Sequence, residues 1–263
     1  MIDEETRELV SRALDYSYTG ETGKAKEIFK ALVSDSPETP ILMEAYQFFI
    51  RTNMLDDADA VAIKMIGKSI PGSLESATAH GNRVSVLVYK KNFDEAQKHL
   101  DIAVEIYNKN GAAPNIGSLY GTVGTAYYLN KNYEMALHWM TKPHEINIKV
   151  GNKENIANDQ NHFAMVYQQM GGEENLKKSL ACYESAISLN GELIAKGYRL
   201  RSFNLGNNHG GIGLTYFLLN RLDVAREHWG KALNLFESVG AFDRVEIIKG
   251  YLAGKQANEQ IRH

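Results

Sequence analysis

One pattern constrains this chain more than any other: a small residue is followed four and seven positions later by core-type residues, and the motif returns six times. It reads Ala25/Phe29/Leu32, Ala58/Ala62/Met65, Ala96/Leu100/Ala103, Ala136/Met140/Pro143, Ser179/Tyr183/Ala186 and Ala225/Trp229/Ala232. Offsets of four and seven share one face of an α-helix. Twelve residues before each anchor, or fifteen in the fifth copy, stands Ala13, Tyr46, Val84, Gly124, Ala164 or Gly213. Three positions further on comes an aromatic residue or Leu: Tyr16, Phe49, Leu87, Tyr127, Tyr167 and Tyr216. Each copy therefore predicts two helices, and such a pair buries its apolar faces by stacking on its neighbours. Five prolines in 263 residues, and no sustained strand alternation bounded by hairpin signals, leave no place for a sheet. The fold class predicted is all-α, about six stacked helix pairs forming one α-solenoid domain over residues 1-263.

The small, aromatic, Ala, aromatic, Pro order of Ala13, Tyr16, Ala25, Phe29 and Pro37 resembles the tetratricopeptide repeat family. The runs from Gly124 to Ala136 and from Gly213 to Ala225 are similar to it as well, and the resemblance extends from about residue 6 to 240. It implies a right-handed superhelix whose first helices line a concave surface. The units expected are 6-38, 39-72, 77-112, 117-152, 157-200 and 206-240, closed by a capping helix over 241-258 with Val245, Ile248 and Leu252 on one face. Successive anchors from Ala25 to Ala225 stand 33, 38, 40, 43 and 46 apart, so the later second helices must be longer. The phrases at 145–152 and 234–240 resemble the ends of the forty-residue variants of the repeat, found in kinesin light chains and in bacterial peptide or sugar sensors. Pro143 falls inside a second helix, where it removes a hydrogen bond and crowds the preceding turn, so a kink near Met140 is expected.

Composition excludes several classes of function. With 29 Lys and Arg against 32 Asp and Glu, the net charge of −3 offers no field to attract nucleic acid. No apolar run approaches the roughly 20 residues that cross a bilayer, which argues against direct membrane insertion. A single cysteine, Cys182, and a start without signal-peptide character point to the cytoplasm.

The motifs that could carry chemistry read better as packing. Gly67-Lys68-Ser69 lacks the glycine of a phosphate loop at Ala62 and ends a helix rather than following a strand. Gly206, Gly210, Gly211 and Gly213 have the spacing for close helix approach. No HExxH or Cys/His ligand spacing occurs, so neither metal nor cofactor is expected. His80 and His209 take equivalent places early in first helices and read as packed residues, and Cys182 has no neighbour that would promote a thiolate. The chain is thus expected to be no enzyme.

What remains is the non-core face of the first helices. The repeat register places Tyr89, Thr125, Tyr128, Asn158, Asn161, Met165, Gln168, Gln169, Asn207, Leu214 and Phe217 there, with Ser85 and Val88 beside them. Amides can bond to a peptide backbone and the aromatic and aliphatic groups can cover its side chains. Asn161 and Asn207 are similar in placement to the backbone-holding asparagines of the forty-residue variants. Lys196, Arg199 and Arg201 could meet an acidic residue at one end of the groove. A two-carboxylate clamp of the kind in chaperone-binding relatives is not expected, because Val10, Leu14, Met43 and Gln47 occupy its places. The function expected is a non-catalytic scaffold or adaptor that binds a protein or peptide segment, with self-association of the open-ended stack left open. The alternative is a sensing module whose curvature or oligomeric state changes with its ligand.

Overall fold

The computed structural model describes residues 4–35, 38–198 and 201–254. Pro37, Arg199 and the last four residues of the expected cap lie outside them. Thirteen helices and no strand are found among the described residues. Contacts divide the chain into two compact units, Met1–Asn130 and Lys131–His263.

The first unit holds α1 (Glu4–Tyr18), α2 (Thr22–Ser34), α3 (Thr39–Arg51), α4 (Leu55–Lys68), α5 (Leu74–Tyr89), α6 (Phe93–Lys109) and α7 (Ala113–Leu129). The second holds α8 (Tyr133–Val150), α9 (Lys153–Met170), α10 (Glu173–Ala195), α11 (Arg201–Leu218), α12 (Leu222–Ser238) and α13 (Phe242–Leu252). Consecutive helices pack pairwise in each unit. The second helices α2, α4, α6, α8, α10 and α12 are 13, 14, 17, 18, 23 and 17 residues long, which absorbs most of the lengthening between anchors.

The small anchors are where the helices touch: Ala25, Ala58, Ala136, Ser179 and Ala225 are wholly buried. Larger groups fill the space around them. Phe29, Phe48 and Phe49 form one aromatic cluster in the first unit, with ring centroids 4.9, 5.3 and 6.4 Å apart. Burying each such ring contributes about 2 to 3 kcal/mol. In the second unit Trp229 stacks on Tyr251 at 5.3 Å, which fastens α13 over α12. Val245 and Ile248 are buried beside them, so the terminal helix covers the last pair as a cap.

The turns within pairs repeat one geometry. Backbone N–H groups of Met54, Asn92 and Arg221 each donate to the carbonyl five residues back, all at 2.8 Å, closing the end of the first helix. This closure needs a left-handed residue, taken by Asn53, Lys91, Lys131 and Asn220 at φ between 57° and 60°. Gly20 fills the equivalent place without steric cost, whereas α9 ends on two glycines, Gly171 and Gly172, at φ 67° and 75°. Asn92 and Asn132 then cap the second helix, their side chains accepting from the N–H groups of Glu95 and Met135. Pro143 lies half-buried inside α8, which continues through it from Tyr133 to Val150.

Candidate functional site

Helices α9, α11 and α13 bring one polar and one mixed surface side by side in the second unit. Spacings of three and four place Asn158, Asn161 and Met165 on one face of α9. Asn158 and Asn161 meet Asn204 and Asn207 of α11 around a cavity of about 190 Å³, also lined by Ala157, His162, Asn190 and Asn208. A second cavity of about 410 Å³ adjoins it and shares Asn161 and Asn207. Its wall is mixed: Met165, Leu214, Ile247, Ile248 and Tyr251 supply apolar surface beside the amides, with Arg244 at the rim. The Asn207 side chain has no hydrogen-bond partner among the described residues.

The glycines of α11 allow this approach. A Cβ on Gly211 would lie 2.3 Å from Tyr183 Cζ, and one on Gly213 would lie 2.4 Å from Trp229 Cδ1. Both rings are buried and rigidly held, so the helix can come this close only without side chains there.

Beneath the surface runs a hydrogen-bonded layer. Arg201 is 6% exposed and its guanidinium binds Asn190 Oδ1, Asn158 Oδ1, Glu154 Oε1 and the Glu154 carbonyl at 2.9 to 3.2 Å. Gln168, 8% exposed, donates to Thr215 Oγ1 at 2.6 Å and to the Gly211 carbonyl at 2.9 Å. Two residues expected on the open face are therefore inside it. Arg201 cannot turn to an incoming carboxylate without abandoning Glu154, half-buried Asn158 and buried Asn190, which costs several kcal/mol.

The remaining candidates divide by location. Asn158, Asn161, Met165, Asn207 and Leu214 line the cavities, and Gln169 is exposed at the end of α9. Phe217 instead packs on Trp229 at 6.0 Å, joining the core under α13. Tyr89 on α5 and Thr125 and Tyr128 on α7 belong to the first unit, where Thr125 Oγ1 donates to the Gly121 carbonyl of its own helix at 2.9 Å. Ser85 and Val88 are buried rather than open, because α7 covers that side of α5. Arg199 lies outside the described residues.

Sequence reading missed Asn190, Asn204, Asn208 and Arg244. Asn190 is on a second helix, and Arg244 lies beyond the last repeat, so a register confined to first helices reaches neither. Burial pushes the Cys182 thiol up to about 11, away from the thiolate form. Among the described residues, His, Cys, Asp and Glu nowhere gather in threes to hold a metal ion.

Residues 75–147 match the model of the tetratricopeptide repeat, and solved structures share the helical-repeat fold. The fold is that of a tetratricopeptide-repeat-like solenoid. BtubC (BKLC) from P. vanneervenii is 11% identical, with 90% of this chain and 93% of that one covered and a TM-score of 0.57. PH0952 from Pyrococcus horikoshii, a signal transduction ATPase with a tetratricopeptide repeat sensor, is 17% identical with a TM-score of 0.62. That match takes in 94% of this chain and 37% of that protein. NprR, solved in complex with its cognate peptide NprX, is 14% identical over 97% of this chain and 77% of that one, with a TM-score of 0.50. No curated protein matches the sequence. Within the tetratricopeptide-repeat fold, α9 and α11 are first helices of their pairs, and α13 repeats their placement as the cap.

Proposed function

We propose that this protein is a non-catalytic scaffold that binds an extended peptide or protein segment along α9, α11 and α13. One observation carries the reading: an amide-lined cavity and a mixed cavity with apolar side chains are continuous through Asn161 and Asn207. Asn161 and Asn207 supply hydrogen bonds to the segment's backbone, while Met165, Leu214, Ile247 and Tyr251 cover an apolar side chain. Arg244 is exposed at the rim, so it takes the role of favouring an acidic residue that sequence alone gave to Arg199 and Arg201. NprR, solved with a peptide, gives a fold-level parallel for such a ligand. The setting proposed is the cytoplasm, where the lone thiol stays reduced; no described helix is long and apolar enough to cross a membrane.

A displayed library of random heptapeptides supplies ligands for the test, with affinities measured by calorimetry. Asn161→Ala, Asn207→Ala and Arg244→Ala should each weaken the selected peptides by about tenfold or more, as truncated hot spots do. Lys109→Ala, at an exposed position of α6, should not. Selected peptides that bind all three variants within about threefold of the parent would place recognition elsewhere.

A further inference from the structure

An Arg guanidinium donates hydrogen bonds and accepts none. Whatever amide Arg201 touches must therefore face it with oxygen. Arg201 Nε lies 3.0 Å from Asn190 Oδ1. Asn190 is left with its NH₂, which donates to Asn208 Oδ1 at 2.9 Å. Asn208 is oriented in turn and donates through Nδ2 to Asn161 Oδ1 at 2.8 Å. Asn190 and Asn208 are each 1% exposed, so water has little access to replace these bonds. At the end of the chain Asn161 has its oxygen occupied and its NH₂ at the cavity, where its neighbour is Met165 Sδ at 3.6 Å. A thioether is a weak acceptor and yields readily to a better one.

The second branch is shorter. Arg201 Nη2 donates to Asn158 Oδ1 at 3.1 Å, and Asn204 Nδ2 lies 3.5 Å from the same oxygen. The Asn158 NH₂ is thereby left to the cavity as well. Asn158 and Asn161 stand one helical turn apart, about 5 to 6 Å between Cβ atoms. Carbonyls on one edge of an extended chain recur at roughly 6.6 Å, twice the rise per residue, which suits the pair.

We propose that Arg201 is a positioning residue of the groove: through Asn190 and Asn208 it holds Asn161, and directly it holds Asn158, with both NH₂ groups toward the cavity. The site then selects its ligand by carbonyl or carboxylate acceptors. That selectivity rests on the groove reading, whereas the amide orientation stands independently of it.

Asn190→Asp tests the relay. A carboxylate accepts on both oxygens, so Asp at this position keeps Arg201 as an ion pair but obliges Asn208 to turn its NH₂ inward. The Asn208 oxygen then faces Asn161, which must turn its own NH₂ away from the cavity. Asn208→Asp produces the same inversion one step later and serves if the first variant does not fold. The measurement is exchange of the side-chain amide protons with water, by NMR on ¹⁵N-labelled protein. In the parent, the Asn158 and Asn161 pairs should exchange rapidly and the Asn190 and Asn208 pairs slowly. In either variant the Asn161 pair should slow by about tenfold, the equivalent of one hydrogen bond, while Asn158 on the other branch keeps its rate. A protected Asn161 pair in the parent overturns the relay by itself, as does an Asn161 rate unchanged by a folded variant. N,N-dimethylacetamide, an acceptor without an N–H group, then probes selectivity: it should shift the Asn158 and Asn161 NH₂ resonances of the parent, and those of Asn158 alone in Asn190→Asp. If exchange behaves as expected but the probe shifts neither pair, acceptor selection is overturned while the relay stands, which separates the two claims.

Discussion

His80 Nδ1 lies 2.6 Å from His99 Nδ1 across α5 and α6, a contact that two neutral imidazoles can make and two charged ones cannot. Arg83 Nη1 is 2.8 Å from His99 Nε2, so that nitrogen must be the acceptor and Nδ1 of His99 the donor to His80. Asp59 pairs with Arg83 from α4, and Glu95 Oε1 approaches His99 Nε2 at 3.6 Å. The arrangement recurs between α11 and α12, where His209 and His228 are 3.1 Å apart and also 19 residues apart in sequence. Glu227, Lys231 and the Tyr216 ring face that second pair.

These pairs predict a loss of stability in mild acid. Burial first, and then the neighbouring cation or imidazole, holds all four histidines below their ordinary value, with His209 lowered to about 4. A depressed base is neutral in the fold and gains its proton more readily when unfolded. Its contribution is therefore complete above the unfolded value of about 6.5 and disappears as pH falls toward about 4. Tm should be flat near neutrality and decline across that window, and His80→Gln combined with His209→Gln should shallow the decline. Superimposable curves for parent and double variant would refute the neutral-pair account.

Two glycines should respond to alanine in opposite directions. In Gly213→Ala the new Cβ would lie 2.4 Å from both Cδ1 and Nε1 of fully buried Trp229, and overpacking of this kind costs about 1 to 3 kcal/mol. Gly230, inside α12, has nothing within 4 Å of an added Cβ, so Gly230→Ala should stabilise by about 0.5 to 1 kcal/mol. Urea denaturation of the two variants beside the parent checks both signs.

Pro143→Ala should stabilise the protein. The ring denies the Trp139 carbonyl its i+4 donor within α8, and an alanine restores it, recovering up to about 3 kcal/mol. A midpoint equal to the parent's would mean that contacts of the half-buried ring compensate in full.

Ala136→Glu should be severe and Lys109→Ala slight. Ala136 is wholly enclosed, so a glutamate there must displace its neighbours and bury an unpaired charge, at about 3 kcal/mol or more. Lys109 is exposed and pairs with Glu105 one turn away at 2.5 Å, an interaction that solvent largely screens. Similar midpoints for the two variants would contradict the helix-pair register.

The sequence by itself determined the helix pairs, because a helix writes its buried face into its own periodicity: Ala25, Ala58, Ala136 and Ala225 are legible as contact points without knowing what they contact. It also marked α11 as a helix of close approach, through glycines at Gly206, Gly211 and Gly213. Tertiary structure alone decided the partners. The register put Gln168 on an open face and was right about its helix, and Arg201, expected at one end of the groove, begins α11, yet the packing of α9, α10 and α11 encloses both side chains. Asn190 joins the groove from a second helix, His80 finds His99 from another, and Arg244 arrives from the cap. Periodicity reports a residue's angle about its own helix axis, whereas burial and hydrogen bonding depend on the distance and inclination of a neighbouring axis. That neighbour is set by packing over the whole pair, so the amide relay beneath Asn161 existed nowhere in the order of the residues until the helices had closed on it.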